Sequence, residues 1–129
     1  MTTQDPTVYQ AIAAECAEKT HGDAMHAVFS AAAVHQHTGA CRVQDLEPAP
    51  PIRHLTAAAD TIVEMARECA KYADSRTADA MTTPAAAAAH AGMAANLADR
   101  ARFLANAAHY LALAARELTC AANNPRYQA

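Results

Sequence analysis

Residues 83–123 read TPAAAAAHAGMAANLADRARFLANAAHYLALAARELTCAAN, and this stretch decides the fold. Thr83 suits a helix N-cap, and Pro84 suits the first helical position, where its missing N–H would have had no partner. No further proline occurs before Pro125. A single helix of that length would span about 60 Å. Met93, Leu97, Leu104, Leu111 and Leu118 recur by threes and fours, with Ala86, Ala101, Ala108, Ala115 and Ala122 filling the steps between. That spacing predicts a buried seam. Opposite it runs a polar stripe of Asn96, Asp99, Arg102, Asn106, His109 and Arg116.

Working outward, the preceding segment from Ile52 to Ala80 carries Ile52, Leu55, Ala59, Ile62, Ala66, Cys69 and Ala73 at the same three-four spacing. Asp60, Glu64, Arg67, Glu68, Lys71 and Asp74 cover its other side as a solvated face. Thr82-Thr83-Pro84 forces a turn, since a residue before proline disfavours helical dihedrals. Residues 39–51, GACRVQDLEPAPP, lack any helical period and predict a surface connection.

At the other end, Asp5-Pro6 repeats the cap-then-proline signal, so a helix starts near residue 6. Val8, Ile12 and Cys16 mark one face, and Met25, Val28, Phe29 and Ala32 mark another turned by about 150°. Gly22, followed by Asp23, stands where the face changes, which predicts that one helix ends and another is capped there. The expectation is a single all-α domain over 1–129, an up-down bundle with helices near 6–21, 23–38, 52–80 and 84–123. If Gly22 only kinks the chain, the count falls to three. No β-alternating run or hairpin dipeptide appears.

Composition bounds the function. Of the 129 residues, 38 are alanine and none is tryptophan, so the apolar fraction of 53% overstates the core. Small side chains contribute little on burial, whereas a large aliphatic contributes about 1.5–3 kcal/mol. Self-association, most simply as a homodimer, would supply the missing cover. The net charge of −3 gives no footprint for nucleic acid. The N-terminal sequence has no signal-peptide pattern and no run is apolar enough for a membrane, so a soluble cytoplasmic protein is expected. Eight arginines against two lysines, with so much alanine, point to GC-rich coding in a bacterial source. Cys16, Cys41, Cys69 and Cys120 are scattered singly and read as reduced thiols.

Seven histidines are many for such a chain. Counting along up-and-down helices places His35, His37, His54 and His109 within about one helical turn of each other, with Cys41 near the loop. Imidazole and thiolate suit zinc or another transition metal. The plainer reading is four separate rim histidines. Cys16, Cys69, Met65 and Met93 likewise share a level, as a soft-ligand set or, more simply, as core. Glu18-Lys-Thr-His21 matches half of a di-iron element, but the second copy, Asp23-Ala-Met-His26, falls on the same helical region.

Arg102, followed after six residues by His109, resembles the Arg-x4-6-His signature of the HEPN family, small helical bundles that often act as metal-independent ribonucleases. The resemblance implies an arginine that positions phosphate and a histidine that assists acid-base cleavage, paired across a dimer. It covers eight residues, and Phe103 departs from the polar residue usual after the arginine. No phosphate loop, nucleophile elbow or zinc-protease motif accompanies it. The expected function is therefore a non-enzymatic interaction or accessory bundle, with the ribonuclease and the metal protein as alternatives.

Overall fold

The computed structural model describes residues 5–39 and 50–123. They form three long helices: α1 (Pro6–Gly39), α2 (Pro50–Thr82) and α3 (Ala87–Asn123), the last entered through a 3-10 turn at Pro84–Ala86. No strand occurs among them. The all-α expectation holds. Of the connection expected over residues 39–51, Gly39 belongs to α1 and Pro50 and Pro51 to α2, and residues 40–49, with Cys41, lie outside the described residues.

α1 starts as its sequence dictates. The Thr7 backbone N–H donates to Asp5 Oδ1 at 3.0 Å, and the Val8 N–H donates to the Asp5 carbonyl at 3.1 Å. Thr83 behaves differently from expectation: its side chain caps nothing. Instead its N–H donates to the Asp79 carbonyl at 2.8 Å and its carbonyl accepts from Ala86 N–H at 2.9 Å, which folds the chain back through backbone bonds alone.

The break at Gly22 does not form, and α1 continues through it for 34 residues. Its buried positions are Ala13, Ala17, Thr20, Ala24, Ala27, Ala31, Val34 and Thr38, alternating steps of four and three with no change of phase. Alanine, threonine and one valine define the buried face. The larger residues that suggested two faces lie outside it: Val8, Ile12, Met25 and Phe29 are all exposed, Phe29 at 66%.

α2 buries Ala59, Ala66, Cys69, Ala70, Ala73 and Ala80, with Leu55, Ile62 and Val63 packed beside them. α3 repeats the pattern of α1, burying Ala87, Ala91, Ala94, Ala101, Ala105, Ala108 and Ala115. Leu104 is buried with this alanine seam, Leu97 and Leu111 are half-buried beside it, and Met93 and Leu118 are exposed. Seams of alanine let helices approach at the close end of the usual 8–10 Å range.

α1 and α2 run antiparallel, and α3 runs parallel to α1. The Gln10 amide donates to the Ala80 carbonyl at 3.0 Å, and the Thr77 hydroxyl lies 3.2 Å from the Ala13 carbonyl. At the far end the Thr119 hydroxyl donates to the His37 carbonyl at 2.7 Å, tying α3 to α1. Thr20, wholly buried, satisfies its hydroxyl on the Cys16 carbonyl at 2.6 Å. No helix among the described residues is long and apolar enough to cross a membrane.

Candidate functional site

Three helices leave three grooves, and each holds different chemistry. Between α1 and α2, two adjoining hollows of about 710 and 700 Å³ share Val28, Arg67 and Lys71. They are bridged by two histidine-carboxylate pairs. His21 Nε2 lies 2.8 Å from Asp74 Oδ2, and His35 Nε2 lies 2.7 Å from Asp60 Oδ1. These pairs stand two heptads apart on both helices, with Val28 and Arg67 at the intervening heptad. The carboxylates Asp60, Glu64, Glu68 and Asp74 outnumber the cations Arg67 and Lys71 along these walls, so the groove does not concentrate an anion.

Between α1 and α3 lies a smaller cleft of about 350 Å³, lined by Lys19, Gly22, Asp23, His26, Ala98, Asp99 and Arg102. Arg102 and His26 of α1 therefore line one cleft, a grouping that sequence spacing did not suggest. His109 sits one heptad further along α3 on the same flank, exposed, its ring 6.0 Å from that of Tyr110 and tilted by 57°. The two residues of the HEPN-like signature share a helix flank, and Asp23 and Asp99 line the same cleft as the arginine.

The four histidines of the proposed metal end are not gathered. His35 is engaged with Asp60, while His54 and His109 are exposed on α2 and α3. His37 is half-buried on α1. Axial counting fixes level along the bundle but not the direction in which a side chain leaves its helix. Among the described residues, no three His, Cys, Asp or Glu side chains could hold a metal ion together.

The soft-ligand set is likewise dispersed: Cys69 is in the central core cluster, Cys16 packs against the cluster near the α2–α3 turn, and Met65 and Met93 are exposed. Burial pushes the Cys69 thiol up, and the nearby Arg100 offsets only part of that rise. A thiol so placed is a poor nucleophile.

Between α2 and α3 a third hollow of about 360 Å³ is walled by Tyr72, Arg76, Met93, Asn96, Leu97 and Arg100. No acid lines it. Its outer lip continues onto the exposed face of α3, where Phe103 and Tyr110 stand 73% and 69% exposed, one heptad apart. Leu97 and Leu111 lie beside the alanine seam and not on it, so the leucine spacing does not reveal that these two aromatics face outward. No protein-family model matches this chain, and no curated protein or solved structure matches it either.

Proposed function

We propose that the protein is a non-enzymatic helical bundle that works in the cytoplasm as a homo-oligomer, acting through protein contacts as a regulatory or accessory factor. One observation carries this: small side chains fill the inside, and large apolar ones stand outside. Phe29, Phe103, Tyr110, Tyr72 and Met25 are all more than half exposed, while the largest fully buried side chains are Val34 and Thr20. A standard interface would cover about 800 Å² on each copy.

Light scattering at micromolar concentration tests this. The expected mass is a multiple of 13.5 kDa, most simply twice it, because closed two-fold pairing is the commonest assembly. A monomeric mass would overturn the proposal.

The grouping of Lys19, His26 and Arg102 in one cleft favours a second function, the metal-independent ribonuclease with Arg102 and His109. Asp23 and Asp99 in the same cleft, and a net charge of −3, oppose the approach of a polyanion. RNA cleavage in the presence of chelator, seen with wild type and lost in Arg102→Ala/His109→Ala, would put the enzyme first.

A further inference from the structure

The outward face of α3 is self-complementary when read in reverse. Asn96, Arg100, Phe103, Ala107, Tyr110, Ala114 and Glu117 alternate steps of four and three on the side away from the alanine seam. All are exposed except Ala107, which is half-buried. Set against a second α3 running the other way, Ala107 meets the partner's Ala107 at the two-fold axis. Phe103 then faces the partner's Tyr110 on either side of that axis. One layer further out Arg100 meets the partner's Ala114, and beyond it Asn96 meets the partner's Glu117.

From these layers we infer that two copies associate through antiparallel α3 helices, with Arg100 reaching the partner's Glu117 across one helical turn. This rests on the homo-oligomer proposed above and names its surface. Alanine at the axis permits close approach, and the flanking aromatics supply buried area and offset stacking. Neither Arg100 nor Glu117 forms an ion pair among the described residues of its own chain. The pairing gives both a partner.

Two other arrangements fare worse. A parallel pair would set Arg100 against Arg100 and Glu117 against Glu117, and like charges in register select against a pairing. An antiparallel pair shifted to the other flank would oppose two Asn106 amides at the axis and set Asp99 against Leu113. The chosen flank also brings in the exposed Tyr72 and Met65 of α2, one heptad apart, Tyr72 lining the hollow it shares with Asn96 and Arg100. Arg102 and His109 lie on the opposite flank and stay open.

Sedimentation of five proteins decides it: wild type, Arg100→Glu, Glu117→Arg, the two reversals combined, and Phe103→Ser/Tyr110→Ser. All changes are at exposed positions, and circular dichroism should show unchanged helicity. Each single reversal is expected to weaken dimerisation about tenfold, and the double reversal to restore it, since contacting residues couple by that order. The serine pair should leave monomer at micromolar concentration. A monomeric wild type would overturn the homo-oligomer along with this surface. A wild-type dimer indifferent to the serine pair would overturn the α3 surface alone. Single reversals that weaken association without rescue in the double would overturn the antiparallel register.

Discussion

α1 and α2 are almost equal in length, 34 and 33 residues, and both present a buried stripe at three-four spacing. They differ in where their bulk goes. In α2 the larger aliphatics Leu55, Ile62 and Val63 lie beside the stripe, packed against core clusters. In α1 the stripe is alanine and threonine apart from Val34, and Val8, Ile12, Met25 and Phe29 stand away from it. A helix lined with alanine packs by proximity of backbones, and one lined with leucine and isoleucine packs by interlocking side chains. The first leaves no slack for added volume inside and leaves its large residues for whatever lies outside.

That difference is sharpest at Ala27, fully buried in a cluster with Ala24, Ala66, Cys69, Ala70, Ala101, Leu104 and Ala108. Ala27→Leu would force a branched side chain between helices spaced for a methyl group, and overpacking of this kind costs about 1–3 kcal/mol. The upper end is expected here, read as a drop in urea midpoint. Phe29→Ser, two residues away on the outside of the same helix, should shift the same midpoint by less than about 0.5 kcal/mol. Similar losses from the two changes would mean that Phe29 is part of the monomer core and that the contrast between α1 and α2 is false.

A smaller effect tests the continuity of α1. An added Cβ at Gly22 would meet nothing within 4 Å, and its backbone is helical. Replacing an interior helical glycine by alanine stabilises by about 0.8–1.0 kcal/mol, so Gly22→Ala should raise the urea midpoint. A loss of stability would restore the helix end that the change of face suggested. Met81→Ala, at an exposed site in the last turn of α2, is the comparison that should move little.

How much of this was legible follows from the same contrast. α2 was readable because Leu55 and Ile62 lie beside its buried alanines and follow the same spacing. α1 departs from the expected break because Val8, Ile12, Met25 and Phe29 stand outside, while the unbroken buried series from Ala13 to Thr38 runs between them. In a chain this rich in alanine, small residues in register outweigh large ones out of register. The site residues suffered from a related gap. Levels along the bundle come from counting, but the groove that a side chain enters depends on which helix flank it leaves. His35 pairs with Asp60, and Arg102 lines a cleft together with His26. The pairs His21–Asp74 and His35–Asp60 did have a signal, since 21 and 35 are two heptads apart, as are 60 and 74, and antiparallel neighbours pair in reverse order.

The smallest expected effect lies where α1 begins, at the one cap that behaves as its sequence implies. The Thr7 backbone N–H, and to a lesser degree its side chain, hold the Asp5 carboxyl below its ordinary value. A carboxylate depressed in the folded state adds stability above its unfolded-state pKa and loses that contribution as pH falls through the folded one. The charge also sits at the helix N-terminus, where the backbone dipole favours an anion. Asp5→Ala should therefore lower the melting temperature slightly near neutral pH, and the gap between variant and wild type should close as acidification passes through the depressed folded-state pKa and Asp5 becomes protonated in both states. The residue that precedes α2 in the sequence is Ala49, which carries no carboxyl, so no equivalent acid-sensitive contribution is expected there. A gap that stayed constant across that range would show that Asp5 acts through the shape of the turn and not through its charge.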